Sequence, residues 1–220
     1  MEPIQDLDKI ILLLKKEVKN FENPLITKID EVSKTPFMVL VSCLLSLRTQ
    51  DRTTGPVARK LFFAVKTPQD INKLSLKKLE DIIRPVNYYK TKASRIKEIS
   101  KTLIKEYEGQ VPNSFDELLK LKGVGKKTAA ITMLFGHHDP NFIAVDIHVH
   151  MIANRLGWVK TKNAEQTMDE LMKVLPKKYW HDLNELFVLH GQNICFKNYP
   201  ICSRCAIKEY CPRIGVIKSR

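Results

Sequence analysis

The stretch Leu121-Lys122-Gly123-Val124-Gly125-Lys126-Lys127-Thr128-Ala129 joins two segments of helical character and decides how the chain is read. Upstream, Ser114 with Glu117 three residues on is a capping-box pattern ahead of Leu118 and Leu119, so a helix is expected over 115–121. Downstream, a second helix is expected up to residue 135. Two glycines one residue apart let the backbone adopt φ > 0 and let another molecule approach it closely. The following helix opens with N–H groups that lack intrahelical partners, at the positive end of its dipole. A phosphate suits such a place. The spacer and the Gly-Lys-Ser/Thr ending of a P-loop are absent.

Helix, Gly-hydrophobic-Gly, helix is the helix–hairpin–helix pattern, which holds a DNA strand by its backbone without reading sequence. A tight turn between packed helices is the plainer alternative. Gly123, Val124, Gly125 and Lys126 are the candidate DNA contacts. Lys127 stands at the start of the second helix, where the helix end and neighbouring Lys126 both favour a neutral, nucleophilic amine. One more phosphate-binding lysine is the competing reading.

Outward from the hairpin, helical patterns dominate. Residues 7–21 place Leu7, Ile10, Ile11, Leu14, Val18 and Phe21 at helical spacing. Thr35-Pro36 reads as a cap followed by proline at the first helical position, and Met38 to Leu45 is apolar nearly all round, as in a core helix. Ser75 caps a helix that Pro85 closes. Residues 89–107 form a basic amphipathic helix with Ile96, Ile99, Leu103 and Ile104 on one face. Its Lys90, Lys92, Arg95, Lys97, Lys101 and Lys105 read mostly as a solvated face. Residues 143–151 alternate like a strand, but Val145, Val149, Ile152 and Leu156 also fit a helix, so a loop leading into a helix is expected. No βαβ rhythm, hairpin signal, tandem repeat or low-complexity tract occurs. The fold class is all-α.

At 220 residues the chain is one large domain or two small ones. Its 37 Lys and Arg against 24 Asp and Glu give a net charge of +13, a field that attracts polyanions, of which nucleic acid is the usual one. The sequence holds no uncharged apolar run long enough to span a membrane and no secretory pattern after Met1-Glu2-Pro3, so an intracellular protein is expected, cytoplasmic and nucleoid-associated in a prokaryote. Such a chain does not rely on disulfides. Cys43 reads as plain core. Cys195-x6-Cys202-x2-Cys205-x5-Cys211 points to a metal. Its single short knuckle, without histidine, favours a four-iron cluster over zinc, with four ordinary cysteines the remaining option. In Ala144-Val145-Asp146-Ile147-His148-Val149-His150 the aspartate caps the next helix or does chemistry, and the two roles are compatible.

Taken in order, these three motifs resemble the endonuclease III family of helix–hairpin–helix DNA glycosylases over nearly the whole chain. The hairpin is similar to the family's Leu-Pro-Gly-Val-Gly-x-Lys-Thr-Ala, the aspartate segment to its Ile-Ala-Val-Asp-Thr-His-Val, and the cysteine spacing is the family's own. The resemblance implies two helical domains with DNA in a cleft between them. One is a six-helix barrel over 30–139 with the hairpin at 115–135. The other joins 1–29 to 140–220, with the cluster loop at 195–211. It implies Lys127 and Asp146 as catalytic residues, the aspartate stabilising charge on the sugar and helping to deprotonate the lysine. Cys195, Cys202, Cys205 and Cys211 become the ligands of a [4Fe-4S] cluster, placing Lys197 and Arg204 toward phosphates. The implied partner is duplex DNA carrying oxidised or ring-saturated pyrimidines, bound by a monomer.

Four departures stand out. Arg48 occupies the place of the glutamine that fills the gap left by a flipped base, so the opposite-base preference is open. In Val86-Asn87-Tyr88-Tyr89, Tyr88 would be the intercalating wedge, and Asn87 would supply the positive φ of the family's glycine. Lys122 replaces the hairpin proline, and Ile147 replaces threonine. A mismatch-specific glycosylase of the same fold and a non-catalytic DNA-binding scaffold are the competing readings; Lys127 argues against the first, and Lys127 with Asp146 against the second.

Overall fold

The computed structural model describes residues 4–21 and 35–220; helices and turns make up its regular structure, and no strand occurs among the described residues. Helix α1 spans Leu7–Val18, α2 Pro36–Ser46, α3 Asp51–Ala64, α4 Pro68–Lys73, α5 Leu76–Ile83 and α6 Tyr89–Glu106. After the turn that follows come α7 (Phe115–Lys120), α8 (Lys126–Ile131), α9 (Ile147–Arg155), α10 (Ala164–Val174) and α11 (Trp180–Asn193). The chain divides into two compact units, Leu25–Asp139 and Met1–Pro24 with Pro140–Arg220. The expected boundary at residues 29 and 30 lies outside the described residues.

In the first of these units, α2 is the core. Thr35 caps it by accepting a bond from the Met38 N–H, Pro36 opens it, and every side chain from Phe37 to Leu45 is buried. Helices α3, α6 and α8 pack around it. Burying each large apolar side chain contributes about 1.5–3 kcal/mol, so this helix anchors its neighbours. Cys43 belongs to this core, and burial pushes its thiol up to about 12, with the charge of Lys127 pulling slightly the other way.

The basic helix α6 departs from its expected solvated face. Lys97 donates to the carbonyls of Ile71, Asn72 and Leu74, closing the C-terminal end of α4, where a cation suits both the free carbonyls and the dipole. Lys92 is buried. The capping box expected at Ser114 is half formed. Ser114 accepts from the Glu117 N–H, but the Glu117 carboxylate takes Tyr107 Oη and Lys120 instead of reaching back. A full capping box forms at Thr67 and Asp70, which the sequence reading passed over.

In the other unit, α1 packs on α11, and α11 on α9, which also meets α10. The first helix ends at Val18, and Phe21 closes only a turn onto the Val18 carbonyl. Asp146 caps α9, as the pattern of residues 143–151 suggested. Gly191 lies inside α11, where glycine weakens a helix by about 1 kcal/mol. A Cβ there would sit 2.4 Å from Nδ1 of His148, so the glycine makes room for that ring.

After α8 the chain widens into a π-turn, Thr132–Gly136. A Cβ on Gly136 would lie 2.9 Å from Cα of Pro36, against backbone that begins the core helix. Replacing Gly136 with alanine is therefore expected to lower stability by about 1–3 kcal/mol in urea unfolding. A loss below about 0.5 kcal/mol would show that α2 moves aside freely.

Candidate functional site

The hairpin turn uses its two glycines differently. Gly123 sits at φ +84, in the left-handed region, and a Cβ there would meet Nη1 of Arg95 at 2.2 Å. Gly125 has φ −99 and is the N-cap of α8. Nothing lies within 4 Å of where its Cβ would be. The fold of this chain does not require glycine at that position, whereas close approach of an outside molecule does. Val124 is buried beneath the turn, while Lys127 stands exposed on the first turn of α8. Lys122 pairs with Glu98 at 2.8 Å, and Arg95 approaches the same carboxylate at 3.8 Å, so α6 and the hairpin share one acidic anchor. That pairing holds the Glu98 carboxyl below its usual range, the Lys122 hydrogen bond being the main cause.

Two further turns of the same unit carry Arg48 and Tyr88. Both residues adopt left-handed backbone, φ 53 and φ 58, and both are exposed. The Arg48 guanidinium carbon lies 5.9 Å from the Tyr88 ring centroid, within cation–π range. The positive φ falls on Tyr88, one residue later than the sequence suggested for Asn87. Asn87 is held otherwise: its side-chain amide donates to the Arg48 carbonyl at 2.6 Å, and its N–H to Thr49 Oγ1 at 3.1 Å. Arg48, Tyr88, Arg95 and Gly123 line one open pocket with Leu44, Leu47, Thr91 and Lys92.

In the other unit, Oδ1 of Asp146 accepts from the N–H groups of His148 and Val149 at 2.9 and 3.0 Å. Both capping bonds fall on one oxygen, so Oδ2 takes no part in the cap. Asp146 is half-buried and its neighbour Ile147 is exposed.

All four C-terminal cysteines line a single pocket, walled by Ile152, Leu156, Ile194 and Ile207. Two nitrogen-bearing side chains approach the sulfurs. Arg155, at the end of α9, donates to Cys195 Sγ at 3.1 Å and to the carbonyls of Phe196 and Lys197, each at 2.8 Å. His190 Nε2 lies 3.8 Å from Cys205 Sγ, and its Nδ1 bonds Glu17 of α1 at 2.5 Å. Glu17 also accepts from the Ala206 N–H. Burial alone would raise the Cys195 thiol, but the hydrogen bonds from His190 and Arg155 hold it below its ordinary value.

Residues 41–177 match the family of HhH-GPD superfamily base excision DNA repair proteins. Endonuclease III of Thermotoga maritima is 46% identical over 176 residues, covering 80% of this chain and 82% of that protein. The chain belongs to the endonuclease III family. An Arabidopsis thaliana protein, the chloroplastic endonuclease III homolog 2, is 39% identical over 184 residues, which are 80% of this chain and about half, 48%, of that longer protein. A solved structure of a trapped endonuclease III–DNA covalent intermediate, showing an estranged adenine, superposes with a TM-score of 0.83 at 30% identity, covering 97% of each chain.

Membership of the endonuclease III family implies an iron–sulfur cluster, and the cysteine pocket fits one. Among the described residues, no three His, Cys, Asp or Glu side chains converge closely enough to hold a single ion. Four thiols lining an apolar pocket, one of them accepting from Arg155, match the ligand type and hydrogen bonding of an iron–sulfur centre.

Sequence reasoning missed Lys92, Glu17, Arg155 and His190. Lys92 left a signal: it falls on the stripe of Ile96, Ile99 and Leu103, the buried side of α6. Glu17 left none, because its partners are more than 170 residues away along the chain, as Glu17 and His190 are 173 apart.

Proposed function

We propose that this chain is a base-excision-repair DNA glycosylase with abasic-site lyase activity, acting on duplex DNA that carries oxidised or ring-saturated pyrimidines. The observation that carries the reading is Lys127: an exposed amine on the first turn of α8, directly after the Gly-Val-Gly turn, in a chain of the endonuclease III family. The open face of Gly125 supports docking of a phosphate backbone at the same turn, with Gly123, Val124 and Lys126.

In this reading a damaged nucleotide leaves the stack, which is easiest for a base that stacks poorly. Arg48 and Tyr88 occupy the gap, the guanidinium offering its planar donor fork to the orphaned partner base. Nζ of Lys127 attacks C1′ of the sugar, and the N-glycosidic bond breaks, the base leaving with a proton. The C1′–O4′ bond then breaks, opening the sugar ring as O4′ takes a proton, and leaves an iminium between Nζ and C1′. The iminium acidifies the C2′ proton; its loss expels the 3′ phosphate oxygen and cuts the strand. Asp146, with one oxygen committed to capping α9 and the other outside the cap, stabilises the positive charge that develops on the sugar. Cys195, Cys202, Cys205 and Cys211 would hold a [4Fe-4S] cluster, which when bound would cross-link the C-terminal loop that carries exposed Lys197 and Arg204. The protein works as a monomer.

Borohydride should trap a covalent protein–DNA adduct on duplex containing thymine glycol, and Lys127→Ala should abolish it. Strand cleavage by the wild-type protein without any trapped adduct would remove the Schiff-base step. Purified protein should be brown, with about four irons and four sulfides per chain and an absorption band at about 400 nm. Colourless protein holding stoichiometric zinc would replace the cluster with a d¹⁰ ion.

A further inference from the structure

Lys92 is a lysine buried on the core side of α6, where an ammonium is unfavourable without partners. Burial pushes it down to about 8. Its two hydrogen bonds go to the last turn of the core helix α2 and to the chain just after it. Nζ donates to the Leu45 carbonyl at 2.6 Å and to Thr49 Oγ1 at 2.9 Å. The first is a carbonyl in the last turn of α2, at the negative end of its dipole. The second is the same hydroxyl that accepts the Asn87 N–H at 3.1 Å. Asn87 in turn donates its side-chain amide to the Arg48 carbonyl at 2.6 Å.

These bonds form one connected path: Lys92, Thr49, Asn87, Arg48. It ties the turn after α2 to the turn before α6, and each turn carries one exposed side chain in left-handed backbone, Arg48 and Tyr88. A non-glycine residue in that region is held there by its surroundings, since the conformation is uncommon outside glycine and asparagine. The two side chains keep company at cation–π distance although their turns are 40 positions apart in sequence, 48 and 88.

We propose that Lys92 is a positioning residue that locks the Arg48 and Tyr88 turns together, so that the two side chains enter the duplex as one pre-arranged wedge. This rests on the reading of Arg48 and Tyr88 as the pair that fills the gap left by the flipped nucleotide. Lys92 itself touches no DNA; it acts through Thr49 and Asn87. Pre-arranging the pair spares the ordering of two exposed turns at the moment of binding.

The test compares single-turnover borohydride trapping on an abasic site in duplex DNA with trapping on the same abasic strand alone, where no gap needs filling. Lys92→Met removes the donors at similar length, and Thr49→Val removes the shared hydroxyl at similar volume. Each should lower the duplex-to-single-strand ratio of trapping rates by about tenfold, and in an Arg48→Ala/Tyr88→Ala background each should change that ratio no further. If Lys92→Met fails to fold, Thr49→Val carries the same comparison. An equal loss on both substrates would make Lys92 a plain structural residue, and effects that add in full to the double alanine variant would place its action elsewhere. If the double alanine variant alone leaves the ratio unchanged, the wedge reading of Arg48 and Tyr88 falls, and the role of Lys92 falls with it.

Discussion

Helix α2 is apolar on every side and must therefore be covered on every side. Helices α3, α6 and α8 supply the cover, and the exposed residues proposed to meet DNA stand at the ends of α2 and of two of these helices. Arg48 follows α2, Tyr88 precedes α6 and Lys127 lies on the first turn of α8. The core helix thus helps set the address of each of them, and the charge of Lys127 is felt at Cys43 inside it. Gly136 shows how tightly the arrangement is drawn, since its missing Cβ is what lets the chain after α8 lie against Pro36.

A second constraint is the use of cations inside a basic protein. Lys92, Lys97 and Arg155 each span to backbone carbonyls at the end of a helix or in a loop. A long side chain with several donors can close such an end where no backbone partner exists. The net charge of +13 attracts polyanions, but part of it is structural. In the unit that carries the cysteines, Arg155 and the pair Glu17–His190 do this around the sulfur pocket, so residues from α1, α9 and α11 all bear on the loop that holds the thiols.

Much of this was legible in the sequence where the signal is local. Caps at Thr35, Ser75, Ser114 and Asp146 form as the residue types suggest, because a short oxygen-bearing side chain before a helix has few other options. Glu117 did not complete its box, because Tyr107 and Lys120 offered it stronger partners. The helical period identified α6 and its apolar stripe, but it reports a face and not a destination. The charges of Lys92 and Lys97 could be placed on that helix without any hint of the carbonyls they reach. Asn87 was read as the residue that would replace a glycine's backbone freedom; Tyr88 takes the left-handed conformation because Asn87 is tied to Thr49 and Arg48. The hairpin glycines were read as a pair, yet only Gly123 uses positive φ, and Gly125 faces open space.

In the proposed mechanism the exposed lysine on the first turn of α8, and not its neighbour, forms the bond to DNA. Digesting the borohydride-reduced complex and locating the modified side chain by tandem mass spectrometry tests it most directly. The sugar remnant should be found on Lys127. A remnant on Lys126 or on any other lysine of the chain would contradict the account.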